Sequence, residues 1–404
     1  MVFSTVDASS TQQTSLAQAV QYKAGFRVKL AAAVSSFRMD TIDLLAFGMG
    51  AVGISLLAMG MRPLPAGAVA PIAAATQATA NVLPASGSAT AADRLADEGI
   101  RAFTGGEEAI ALEHWQQARM LYRAAGDLTK EARMLENISV VHRLLNEAEP
   151  AVVNIEQALA IYESLGTADE QPSVFLNLGG AYRVATRYTD AIAAFDQGLN
   201  LYQQREDLIG ERIILALMAD TYTDMENYPQ TIAYQARAIE TARQTNAPRI
   251  EAEALSSIGF ARFMLGQHTE SVAAYRSALS LFQALGDRAQ EVAVLNNMGR
   301  AAALAEDFDT ALSAYNEALG IFRQLKRPEQ EAHLLVNIGQ AQVAAGRLPE
   351  AIAAFQQAVE ISESLRVPAA APLAPRMEAA YRELAVLLQQ ANRRTEADQI
   401  LSLI

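Results

Sequence analysis

From residue 131 onward the sequence repeats itself every 40 positions. Stacked at that period, six consecutive blocks begin at Glu131, Gln171, Glu211, Glu251, Glu291 and Glu331, with no gap across 240 residues. Two of them read "EVAVLNNMGRAAALAEDFDTALSAYNEALGIFRQL" and "EAHLLVNIGQAQVAAGRLPEAIAAFQQAVEISESL". A period of this size marks an array of small units, each burying its apolar face against the next. Residues 91–130 follow the same register more loosely. Near residue 370 a Pro/Ala-rich insertion, "PAAAPLAP", shifts the phase by six before a last unit runs to Ile404.

Three columns of small residues recur. Position 9 of the blocks holds Gly99, Ser139, Gly179, Ala219, Gly259, Gly299 and Gly339. Glycine inside a helix costs about 1 kcal/mol relative to alanine, so such a column needs a compensating packing reason. Positions 21 and 28 are also small, with Ala191 and Gly198 as one example. Position 25 supplies a large plug in Trp115, Ile155, Phe195, Tyr275, Tyr315 and Phe355. Gln235 breaks that column, and its neighbour Tyr234 is the expected substitute.

The pattern of a large apolar residue, Leu-Gly, Tyr, Ala, aromatic and small residue falls on Phe175, Leu178, Gly179, Tyr182, Ala191, Phe195 and Gly198. It resembles the tetratricopeptide repeat (TPR) over residues 91–404. The resemblance implies an all-α, right-handed superhelical solenoid of about eight helix-turn-helix pairs. Two departures stand out. The period is 40 rather than 34, and the proline that usually closes the second helix is missing. The first helix of each pair is expected over block positions 1–14 and the second over 18–36. The six additional residues would lengthen the second helix and its link, as in TPR proteins similar to kinesin light chain.

In that family the first helices line a concave groove where partners bind. The resemblance carries the groove onto positions 3, 7, 10 and 13, and so onto Arg133, Asn137, Arg143, Asn177, Arg183, Asp220, Asn297, Arg300, His333, Asn337 and Gln340. Asparagine offers both a donor and an acceptor, which suits the peptide unit of an extended segment. Arginine among asparagines can fork onto a carboxylate. The carboxylate clamp of TPR cochaperones is matched in residue type but not in its full set of positions. The implied partner is a protein or peptide.

A different signal lies ahead of the repeats. Residues 44–61 form an uncharged apolar run, close to the ~20 residues that span a bilayer. Lys23, Arg27, Lys29 and Arg38 precede it, whereas Arg62 is the one basic residue close behind. That asymmetry predicts a cytoplasmic N-terminal region (1–43), a single membrane or signal-anchor helix (44–61), an Ala/Pro/Ser-rich linker (62–90) and exported, periplasmic or lumenal repeats (91–404). Cleavage near residues 68–70, giving a secreted protein, is the alternative. Gly48-Met49-Gly50-Ala51-Val52-Gly53 matches a dinucleotide loop formally, but no acidic residue lies between Asp43 and Asp93 to hold a ribose.

Composition removes further classes. The chain has no cysteine, so disulfides, thiol catalysis and thiolate metal sites are excluded. The net charge is −13, and residues 91–404 carry 27 basic against 42 acidic side chains, a surface that repels nucleic acid. His114, His142, His268 and His333 fall in four different blocks without ligand spacing. No catalytic residue, metal or cofactor is therefore expected. The expected function is a membrane-tethered interaction scaffold, by analogy an assembly factor of a membrane complex. A peptide-sensing regulator is the alternative, and an enzyme is disfavoured. The chain stops at "DQILSLI" without a polar cap, so Ile400, Leu401 and Ile404 are expected to fold back or to meet another copy.

Overall fold

A computed structural model describes residues 90–168, 171–366 and 375–404. The regions 1–43 and 44–61 and all of the linker but Thr90 lie outside the described residues. Among the described residues there are sixteen α-helices and no strand, and no helix is long and apolar enough to cross a membrane. The chain divides between Leu265 and Gly266 into two compact units.

The first unit holds α1 (Ala91–Thr104), α2 (Glu108–Ala125), α3 (Leu128–Leu144), α4 (Ala148–Ser164), α5 (Pro172–Val184), α6 (Tyr188–Gln204), α7 (Leu208–Asp224), α8 (Tyr228–Gln244) and α9 (Pro248–Met264). The second holds α10 (His268–Leu285), α11 (Arg288–Leu304), α12 (Phe308–Gln324), α13 (Pro328–Ala344), α14 (Leu348–Leu365), α15 (Pro375–Gln390) and α16 (Arg394–Leu401). Within each unit every helix packs on the next. Consecutive odd-numbered helices also touch, α3 on α5 and α5 on α7 in the first, α11 on α13 and α13 on α15 in the second. The odd helices thus form one layer of each stack.

Helix boundaries differ from the sequence expectation in a regular way. The first helix begins three residues early in five blocks, as α3 does at Leu128, though not in α5, which opens at Pro172, and the partner helix stops short, as α4 does at Ser164. Both members of three pairs, α3 with α4, α7 with α8 and α11 with α12, are 17 residues long. The additional residues therefore extend the start of the odd helix, not the even helix. Caps explain the early start: the carboxylates of Asp127, Asp207 and Asp287 accept backbone N–H groups of the first turn. Pro248 and Pro328 open α9 and α13, where a missing N–H does no harm.

From α1 to α13, each helix is followed by a residue in the left-handed region. These occur every 20 residues from Gly106 to Gly346 without a gap, on glycine at Gly126, Gly166 and Gly286 but on Asn146, Thr186 and Glu306 elsewhere. The 40-residue repeat is thus two 20-residue steps of helix and turn.

The small columns do what their spacing suggests. A Cβ added at Gly179 would lie 2.4 Å from the Phe195 ring, and one at Gly339 would lie 2.8 Å from Phe355. The ring of position 25 rests on the bare backbone of position 9. Gln235 corrects the expectation at its own block. It is itself buried, while Tyr234 lies outside it, stacked on Tyr222 at 5.2 Å. At the C-terminal end Leu401 and Ile404 remain exposed instead of folding back.

Candidate functional site

The residues expected to line a groove fall on the odd helices, where they form two separate groups, one in each unit. In the first unit they lie on α3, α5 and α7. Arg133 is exposed at its edge, and Asn137 is partly exposed with no hydrogen-bond partner among the described residues. Asn177 is committed within the layer, since its Nδ2 donates to Glu136 Oε2 at 3.2 Å. Glu136 also accepts from Tyr162 Oη at 2.8 Å and from Ser173 Oγ at 3.2 Å. Burial pushes the Glu136 carboxyl upward against the pull of these donors.

Further along the same layer, Arg143 and Arg183 approach each other. The Arg143 guanidinium lies against Gly180, where a Cβ would come within 2.7 Å of Nη1. Its Nη2 is enclosed without an acceptor among the described residues. Burial, and then the nearby Arg183 cation, lower the Arg143 pKa to about 10. Arg183 is better served: its Nε donates to Asp224 at 2.6 Å and its Nη1 lies 3.7 Å from Asp220. Burial opposes its charge, but the two carboxylates outweigh burial and hold its pKa up. Burial pushes Asp220 up to about 6 despite Arg183, with Asp224 adding to the rise.

In the second unit the group lies on α11, α13 and α15. Asn337 Nδ2 donates to Asn296 Oδ1 at 2.9 Å. Asn337 Oδ1 in turn accepts from Arg376 Nη2, which also lies 3.5 Å from the His333 carbonyl oxygen. This chain of polar contacts links three consecutive odd helices. Asn297 is buried, whereas Arg300 and Gln340 are partly exposed. Gln340 has no hydrogen-bond partner among the described residues.

Three polar residues of these groups escape a reading by columns. Glu136 and Asn296 occupy position 6, which is otherwise apolar or small (Leu176, Ala216, Val336), and a carboxylate there was a visible anomaly. Arg376 lies beyond the phase shift and has no column to announce it. Among the described residues no group of His, Asp and Glu is arranged to hold a metal. Both groups present amide and arginine side chains, and the first adds the carboxyls of Glu136, Asp220 and Asp224.

The family models described as Tetratricopeptide repeat match residues 250–324 and 332–365. No curated protein matches the chain. Solved structures do. The C-terminal part of a TPR repeat-containing protein from Cytophaga hutchinsonii is 14% identical with a TM-score of 0.52, over 68% of this chain and 96% of that one. A signal transduction ATPase with a tetratricopeptide repeat sensor from Pyrococcus horikoshii is 14% identical with a TM-score of 0.50, over 76% of this chain and 50% of that one. At such identities the likeness speaks for the fold alone.

Proposed function

We propose that this tetratricopeptide-repeat protein is a non-catalytic interaction scaffold that receives a protein or peptide segment on the odd-helix layer of its repeats. The observation that supports this reading is where the polar side chains sit. Arginine and amide groups gather on the odd helices in a chain whose net charge is −13. Asn137 and Gln340 keep amides without partners there among the described residues. An amide of that kind satisfies both the N–H and the C=O of an incoming peptide unit.

The test is a capture experiment with the full chain as bait. Asn137→Ala, Gln340→Ala and Arg133→Ala combined should lose the partner. Control changes on even helices, Glu113→Ala, Met120→Ala and Gln157→Ala combined, should keep it. Loss in both baits, or in neither, rejects the odd-helix layer as the binding face.

The reading includes tethering. Residues 44–61 would anchor the protein in a membrane, with the basic N-terminal region in the cytoplasm and the repeats exported. The apolar run and its basic flank support it. Protease added outside intact spheroplasts should then digest the repeats, and full protection would reject export. N-terminal sequencing separates an anchored chain from one cleaved near residues 68–70.

A further inference from the structure

We propose that a cleft at the first helix pair, between the start of α1 and the end of α2, is the seat of the chain's own linker, with Val82 and Leu83 filling it. The inference stands apart from the odd-helix reading above and concerns how the stack is closed at its first repeat.

The cleft measures about 260 Å³, and its walls include Thr90, Ala92, Leu121, Tyr122, Ala125 and Lys130. Leu121 is 42% exposed, with Met120 beside it more exposed still. The counterparts of Leu121 at block position 31 are covered: Ile161 and Leu201 are partly buried, and Ile321 is buried. Among the described residues no helix pair precedes α1 to cover Leu121 in the same way. The polar groups of the rim are committed to one another. Asp93 accepts from Lys130 Nζ at 2.9 Å and from Tyr122 Oη at 2.8 Å, and it closes a capping box with Thr90. Such a site calls for an uncharged, apolar occupant.

Position, composition and register each point to the linker. The chain enters α1 through Thr90, itself a wall of the cleft, and the capping box fixes that entry. No charged residue lies between Arg62 and Asp93, and Val82 and Leu83 are the large apolar residues nearest to Thr90. Eight residues extend over as much as roughly 25 Å, so distance is no obstacle, and Pro84 and Gly87 suit a reversal on the way. The repeat register, carried one block upstream, sets Val82 at position 32, the column of Tyr122, Tyr202, Phe282 and Phe322, all buried. A side chain at that position meets the residue eight places on. A Cβ on Gly210 would come within 2.1 Å of the Tyr202 ring, and Lys130 Nζ stands 5.2 Å from the centroid of the Tyr122 ring. For Val82 the residue eight places on is Thr90. Once filled, the cleft no longer offers another copy the bare end that a solenoid must close.

The chain has no cysteine, so engineered pairs report on this contact without background. In the full chain in detergent, Leu83→Cys is combined with Leu121→Cys or, as a control, with Arg94→Cys. Arg94 is exposed and one helical turn from Thr90 but outside the cleft. Both pairs are equilibrated in glutathione buffers, and the disulfides are quantified on non-reducing gels and located by mass spectrometry. A tethered but undocked segment samples both positions alike. The expected result is a disulfide within one chain whose effective concentration is at least about tenfold higher for the Leu121→Cys pair than for the control. A second measurement leaves the walls of the cleft intact. Val82→Asp combined with Leu83→Asp should quicken amide hydrogen exchange at the start of α1 and the end of α2, whereas Ile72→Asp should not.

Unchanged exchange in the double-aspartate variant, or exchange that Ile72→Asp quickens equally, overturns the assignment whatever the disulfides show. Equal effective concentrations for the two cysteine pairs overturn it as well. A disulfide that joins two chains overturns it in favour of a second copy on the cleft.

Discussion

Asp220 is pulled in two directions, by burial toward the neutral acid and by Arg183 toward the carboxylate, and burial wins. A carboxyl raised from 3.8 to about 6 takes up its proton in the folded chain before the unfolded chain does. Its contribution to stability is therefore full below about pH 4 and is lost as pH rises through about 6. Asp220→Asn removes this titration. Between pH 7 and pH 5 the stability difference, native minus Asp220→Asn, should move in favour of the native chain by about 1 kcal/mol, since a tenfold change in proton affinity is worth about 1.4 kcal/mol. Urea denaturation at the two pH values measures it, and a difference independent of pH would contradict the assignment. The sequence shows Arg183 and Asp220 sharing a face, but not that they pair. That depends on how closely α5 and α7 approach, which no single block encodes. Glu136 and Arg376 were harder to read for the same reason, because their partners stand on the neighbouring odd helix about 40 residues away. Gly179 was legible because the ring that rests on it belongs to the same block.

The turns decide the helices. Each left-handed turn residue follows one helix and, as at Asn146 and Glu306, leaves one residue before the next, which is why odd and even helices come out nearly equal in length in most repeats. Glycine takes that conformation without strain, whereas a side chain there costs about 1–2 kcal/mol. Thr186 is the branched residue among them, at φ 57°, and its hydroxyl has no partner among the described residues. Thr186→Gly should raise the urea midpoint by an amount equivalent to about 0.5–1 kcal/mol, the strain relief exceeding the extra freedom gained by the unfolded chain. A lower midpoint would mean that Thr186 is not strained there. Column statistics anticipated the number of helices but misplaced their boundaries. The apolar positions mark the packed face, while the first turn of α3, α7 and α11 is set by Asp127, Asp207 and Asp287, which lie at the end of the preceding block.

At the scale of the molecule, stability belongs to neighbours. Repeats that touch mainly the next repeat unfold as a series of coupled segments, not as one body. Gly339→Ala drives a methyl into the Phe355 ring, an overpacking that costs about 1–3 kcal/mol. Amide hydrogen exchange should then quicken in α13 and α14 and stay unchanged in α1 to α4. Uniform quickening throughout would show that the chain unfolds as a single cooperative whole. The charge of the molecule was legible from its composition, whereas its distribution was not. Net negative charge predicts repulsion of anions in general, but which arginines and carboxylates share a layer is set by the packing of helices about 40 residues apart, as with Arg183 and Asp224.

The unbroken 20-residue beat of the turns has a consequence for how such a chain can change its size. Because helix and turn always consume the same length, copying any two adjacent steps in the gene inserts one more helix pair without disturbing the phase of those on either side. Copying a single step would put odd-type faces where even-type faces belong. Growth is therefore quantised in steps of 40 residues, and each step lengthens both layers of the stack by one helix.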